Sequence, residues 1–290
     1  RNLFKLKSPV FKMFESRGSK IFLGIVIAIV IALALGFFFV TGSSTVPAQL
    51  RVESGNVMVN GESVIGNVHL GQGDMIETGV NGLAAVILYE SVVINLEPDT
   101  RIKIDELIKS HPKVSQEKGE TWNTFTELSG VEDYTINTGN SIASVRATTF
   151  GIREGYVLGG EGETDYEFQA EIFLVAAGRV VEIAQGQATE RAATQEELEK
   201  IRERMEKAIE ELRHIRDLEI NKKPVLYSLL KSRTGLTDQE IRQRLLDADE
   251  GLVDVDEFAE KSPIKVETID KVVEITKAIQ KIKADISRIQ

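Results

Sequence analysis

Cysteine is absent from the chain. That excludes disulfides, thiol catalysis and cysteine-ligated metal. Histidine is nearly absent too: His69, His111 and His214 lie in separate segments without metal-ligand spacing. No phosphate-loop motif of the Gly-x-x-x-x-Gly-Lys-Ser/Thr kind occurs. An excess of basic residues is also missing, since 45 Asp and Glu outweigh 35 Lys and Arg. The resulting net charge of -10 argues against a nucleic-acid partner, which needs a basic footprint. Asp247, Asp249, Asp254, Asp256 and Glu257 cluster, but Gly251 is the fifth residue from Asp247, not the sixth that an EF-hand loop requires. A solvated acidic loop is the expectation there, with a calcium site as the alternative. The chain thus reads as a non-enzyme with no catalytic residues, cofactor or metal site.

The charge that is present is uneven. Residues 1–20 carry six basic side chains against Glu15, a net +5 that leaves -15 on the remainder. Directly after them, residues 21–40 (IFLGIVIAIVIALALGFFFV) contain no charge and no proline. Twenty helical residues span about 30 Å, the hydrocarbon thickness of a bilayer. A cleavable signal peptide has a shorter apolar core, so a retained transmembrane helix is expected. The positive-inside rule places residues 1–20 in the cytoplasm and residues after about 41 outside. Gly24, Ala28, Ala32 and Gly36 recur every fourth residue, a stripe on which a second helix can pack.

Residues 41–47 read as a linker. From residue 48 to about 192, short apolar runs alternate with turn signals such as Asn60-Gly61 and Gly71-Gln72-Gly73-Asp74. The pattern predicts an all-β domain, β-solenoid or sandwich-like, without the helical crossovers of a parallel α/β sheet. Gly159-Gly160-Glu161-Gly162 reads as a loose hairpin tip.

The order of these turns resembles the FecR domain family. The matching features are the Gly-x-Gly-Asp turn at Gly73 and Asp74, the Thr78-Gly79 turn, the apolar strand Leu83–Leu88 and the Leu96-x-Pro98-x-Thr100 step. Ser144-Val145-Arg146-Ala147-Thr148-Thr149-Phe150 is similar to the family's Val-Arg-Gly-Thr-x-Phe hallmark, with Ala147 in place of glycine. Gly186-Gln187 resembles the closing Gly-Gln. The resemblance implies an extracytoplasmic binding or signalling domain without enzymatic activity. On a strand, Arg146, Thr148 and Phe150 share one face. Arg146 is read as a structural clamp between turns, with an anion or partner contact as the alternative, because an unpaired buried guanidinium is too costly.

Residues 194–290 switch to helical periodicity. Thr194 and Glu197 form a capping-box pattern, and Leu198, Ile201, Met205, Ala208, Leu212 and Ile215 step by three or four. Glu196–Lys200 and Glu203–Lys207 are expected as intrahelical pairs. Ile269, Val272, Ile275, Ile279, Ile282, Ile286 and Ile289 make a second, coiled-coil-like stripe. Such a stripe must be buried against the first long helix, the β-domain or another chain; packing between chains is favoured, as a homo-oligomer or hetero-complex. The reading is a membrane-anchored scaffold or adaptor of the cell envelope, with the lipid bilayer and an envelope protein or surface polymer as partners. A transmembrane signal transducer is the alternative, disfavoured because 20 residues before the span are too few for a regulator domain's core. If Arg146 is structural, Arg146→Ala lowers the melting temperature of the β-domain; lost partner binding with unchanged melting contradicts the assignment.

Overall fold

The computed structural model describes residues 47–126, 128, 130–145, 149–257 and 267–289. Two nine-stranded sheets lie face to face, and a layer of helices covers one of them. The middle sheet, between outer sheet and helices, runs β18(Gln187–Ala192), β17(Arg179–Ala184), β14(Tyr156–Glu161), β13(Thr149–Arg153), β10(Glu120–Phe125), β7(Val92–Leu96), β6(Leu83–Leu88), β1(Ala48–Ser54) and β4(Asn67–His69). The outer sheet runs β16(Glu171–Ala176), β15(Glu163–Phe168), β12(Ser141–Val145), β11(Tyr134–Thr138), β9(Lys113–Lys118), β8(Arg101–Glu106), β5(Met75–Thr78), β2(Val57–Val59) and β3(Glu62–Val64). Successive hairpins alternate between the two sheets. Neighbours pair antiparallel except β9 and β11, which are parallel.

Period-two alternation builds the first core. Leu50, Val86, Leu88, Ile94, Phe150 and Ile152 of the middle sheet meet Ile76, Ile102, Ile104, Ile136 and Tyr166 of the outer sheet. The intervening residues of the middle sheet are apolar as well. Ile87, Val93, Trp122, Leu158 and Val180 face the other way and form a second core with the helices. A sheet apolar on both faces must be covered on both, which is why β6 and β7 read as continuous apolar runs.

Helix α1(Gln195–Asn221) starts on the capping box read from the sequence, with Thr194 and Glu197 in reciprocal hydrogen bonds. Helices α2(Pro224–Thr234) and α3(Asp238–Asp249) follow, the latter opened by the Thr237–Glu240 box, and α4(Glu267–Ile286) returns along α1. Ile201, Met205, Ala208 and Leu212 of α1 share the second core with Ile275, Ile279 and Ile282 of α4, while Ile286 and Ile289 pack at its margin. The stripe expected between chains is therefore filled from within one chain, and no second copy is needed to bury it.

This architecture corrects the expected one. Of the two β architectures expected, the β-domain is an open two-sheet sandwich and not a closed solenoid, and the long helices expected to be coiled-coil-like form a third layer packed on the middle sheet. No helix among the described residues is long and apolar enough to cross a membrane. The span expected at 21–40, with Gly24, Ala28, Ala32 and Gly36, lies outside the described residues.

Two glycines of the expected hairpin tip lie inside β14 instead. A Cβ on Gly159 would sit 2.3 Å from the Ala176 carbonyl oxygen, so only glycine lets β14 pass the end of β16 this closely. Gly160 similarly leaves room for Thr149 and for Ile201 of α1. Gly159→Ala is expected to destabilise the protein by about 2–3 kcal/mol through overpacking against backbone, measured by urea unfolding. Gly61→Ala serves as a contrast, since its turn carries positive φ but an added Cβ meets nothing within 4 Å.

Candidate functional site

The residues of the FecR-like motifs come together at the corners of the sandwich. Gly73 adopts φ +92° and donates its N–H to Ile104 O at 2.7 Å. Asp74 accepts from Gly71 N–H at 2.7 Å and from Asn60 Nδ2 at 2.8 Å, tying two turns together. Thr78 Oγ1 donates to Glu97 O at 2.6 Å and accepts from Thr100 N–H at 2.9 Å. Thr100 Oγ1 reaches on to Glu120 O at 3.0 Å. Phe150 is fully buried between the sheets. The Asp74, Thr78 and Thr100 side chains thus tie turns and strand ends together. Arg146 and Thr148 lie outside the described residues.

A row of charged residues joins the helical layer to the middle sheet. Lys200, Arg204, Lys207 and Glu211 step by four, three and four along α1, beside its apolar seam. Lys200 Nζ lies 2.5 Å from Glu120 Oε1, Arg204 Nη1 2.8 Å from Glu97 Oε1, and Lys207 Nζ 2.7 Å from Glu53 Oε2. Glu211 pairs with Arg51. Eleven residues of helix rise about 16 Å, and β10 to β1 is three strand spacings, about 14 Å. The row therefore crosses from β10 past the end of β7 to β1, where Glu53 and Arg51 take the last two partners and β6 takes none. The intrahelical pairs expected for Lys200 and Lys207 give way to these contacts. The carboxylates of the sheet are better fixed and more buried than those of a helix surface.

Burial pushes the carboxyl of Glu97 above its ordinary range, with Arg204 pulling it back only in part. Glu211 is raised for the same reason, against Arg51. The desolvation cost thus consumes much of the attraction, and the row acts more on docking register than on net stability. At the far end of α1, Arg216 donates to both oxygens of Asp249 and to Thr276 Oγ1, closing α1, α3 and α4 on a buried pair.

Glu197 joins three elements. It accepts from both terminal nitrogens of Arg191 on β18 at 2.7 Å, from Tyr156 Oη on β14 at 2.7 Å, and from Thr194 N–H at 2.7 Å. The Arg191 hydrogen bonds, foremost, hold its carboxyl far below the usual range.

Beyond the docked region, the helices enclose an apolar cavity of about 410 Å³, lined among others by Ile220, Tyr227, Ile241, Leu245, Ile269 and Val272. Lys223 and Arg244 are the cations of its wall. The volume falls in the range of small-molecule pockets. The lining suits an apolar group and, among the described residues, offers no nucleophile beside a base.

The histidines do not converge. His111 Nδ1 is 2.7 Å from Asp133 Oδ2, His69 is exposed on β4, and burial lowers the His214 imidazole. No grouping of His, Asp and Glu suited to a metal ion exists among the described residues. In the acidic loop, Asp249 is taken by Arg216 and Asp256 by Lys277, while Asp254 accepts from two backbone N–H groups. Of the residues that matter here, Glu53, Glu97, Glu120 and Arg204 were not singled out by the sequence. The available signal was the spacing of Lys200, Arg204 and Lys207 along one flank of the seam.

No protein-family model and no curated protein matches the chain. Two crystal structures of a candidate anti-sigma factor from Parabacteroides distasonis, at 2.50 Å and 1.65 Å, are similar to part of it. Each shares 14% identity over 41% of this chain and 59% of the neighbour, with a TM-score of 0.37. The overlap is too slight to carry function across.

Glu197→Gln keeps the shape but removes the charge. At pH 7 it is expected to cost about 1–2 kcal/mol. Because the folded-state pKa is depressed, this stabilisation is present above the ordinary value of 4.5 and is lost as pH falls toward the folded value. The gap between wild type and variant in urea melts should therefore narrow below about pH 4.5; a widening gap contradicts the assignment.

Proposed function

We propose that the protein is a non-enzymatic adaptor of FecR-like type in the cell envelope, engaging a protein partner through its β-domain. The observation that carries this reading is where exposed apolar surface remains. The helical seams are spent on the second core, and the FecR-like motif residues are spent on the corners. On the β-domain, Ile65, Val80, Ile108, Ile142, Ile172 and Leu174 stay exposed, and three of them gather on the outer face or edge of β12 and β16; on the helical side Val225 and Leu229 of α2 and Leu252 after α3 are exposed as well. The helical layer is locked to the sheet below, so a load taken by the β-domain is passed to the helices as to one body.

A second reading, a signal transducer, is favoured by the 410 Å³ cavity in the helical layer. Occupancy there would bear on α1 and α4, which also contact the sheet.

Photo-crosslinking residues placed singly at Ile142, Leu174 and Leu252 in intact cells test the two. The adaptor reading expects a discrete protein adduct from Ile142 or Leu174. Absence of any adduct from both, with one from Leu252 beside the cavity-bearing helices, contradicts it in favour of the second reading.

A further inference from the structure

The sandwich has four free strand edges among the described residues, and three of them are guarded. β3 and β4 are three residues long. β18 carries charged side chains that are already paired, Glu190 with Arg179 and Arg191 with Glu197. Short edges and edge charges are how sheets avoid pairing with other chains. The fourth edge, β16, is the least protected, with Glu171 at its start as its one charge. It is six residues long, Ile172 is 67% exposed and Leu174 54% exposed.

Its backbone is also oriented for pairing. β15 and β16 are joined by the two-residue turn Gln169-Ala170, both at positive φ, as in a type I′ hairpin. The closing pair Phe168–Glu171 is then hydrogen bonded, and hydrogen-bonded pairs recur every second residue. Glu171, Phe173 and Val175 direct their N–H and C=O groups to β15. Ile172 and Leu174 direct theirs to the open edge, and these same two residues carry the exposed apolar side chains.

Charge decides what fits. Elsewhere in this sheet the carboxylates are paired: Glu77 with Arg101 and Lys118 and Glu106 with Lys113 across strands, and Asp105 with Lys103 on its own strand. Next to the open edge they are not. Glu163, Asp165, Glu167 and Glu171 are all exposed and have no cation beside them among the described residues. In register, Asp165 sits opposite Leu174 and Glu167 opposite Ile172.

We propose that β16 is a docking edge for an extended basic segment of a partner protein, added as a tenth strand with alternating apolar and Lys or Arg residues. This deepens the adaptor reading and rests on it. The apolar residues of the incoming strand extend the inner face beside the half-buried Phe173. Its basic residues lay their aliphatic stems over Ile172 and Leu174 and bring their charged heads toward Asp165 and Glu167. The distance to be bridged is two strand spacings, roughly 9–10 Å, which a lysine and a glutamate side chain span together. A second copy of this chain fits less well, because it would bring its own unpaired carboxylates and a net charge of -10 to the same edge.

The test uses the full chain and a fluorescent eight-residue peptide alternating valine and lysine, with binding read by anisotropy. Binding is expected at low salt, weakened at least tenfold by 0.5 M NaCl. A valine–glutamate peptide of the same pattern should not bind. Asp165→Lys with Glu167→Lys changes only exposed side chains and should abolish binding with unchanged melting. Leu174→Pro removes one outward N–H, which an edge strand tolerates, and should weaken binding at least tenfold. Equal binding of both peptides, or binding unaffected by the charge reversal, overturns the proposal. So does a dimer in light scattering that Ile172→Lys dissolves, which assigns the edge to a second copy. Loss of the peptide result alongside a discrete cellular adduct at Ile142 rejects this edge while leaving the adaptor reading in place.

Discussion

The rest of the structure depends on one constraint: the middle sheet is apolar on both faces. Inward it needs the outer sheet, and outward it needs α1 and α4. Burying a single Ile, Val or Leu side chain is worth about 1.5–3 kcal/mol, so leaving Ile87, Val93, Leu158 and Val180 in water would cost more than most domains can spare. The helices are therefore not an appendage to the β-domain. They complete it.

Apolar burial is non-directional and does not fix how a helix lies on a sheet. The polar rim does. Lys200, Arg204, Lys207 and Glu211 meet Glu120, Glu97, Glu53 and Arg51 in strand order, and a slide of one helical turn would leave several half-buried charges unpaired. Glu197 pins the start of α1 and Arg216 with Asp249 its far end. Away from these contacts, Ile172 and Leu174 stay exposed at the β16 edge beside the exposed carboxylates of β15, and the helices leave a cavity of about 410 Å³.

Much of this was legible in the sequence, though not the part that joins the layers. The hairpin at Asn60-Gly61, the corner residues Gly73, Asp74 and Thr100, and the caps at Thr194 and Thr237 follow from local chemistry, and local chemistry is what a sequence exposes. The isoleucine stripe of α4 was visible, but its partner was not, because a periodic apolar face says only that something covers it. The unbroken run Leu83–Leu88 was the available hint that the sheet had a second apolar face. Gly159-Gly160 looked like a turn because glycine usually marks one. At Gly159 it marks a close backbone crossing that depends on Ala176, 17 residues further along the chain. Lysines at helix spacing from glutamates invite an intrahelical pairing, and only the tertiary structure supplies the better acceptors.

The central claim is that helices and sandwich fold as one cooperative body through the Trp122 face of the middle sheet. Native-state hydrogen exchange followed under mild denaturant measures this directly. The account predicts that the amides of α1 and α4 exchange with the same free energy and denaturant dependence as those of β10 and β13. Exchange of α1 and α4 at a clearly lower free energy, while β10 and β13 stay protected, would contradict it and make the helices a separable layer.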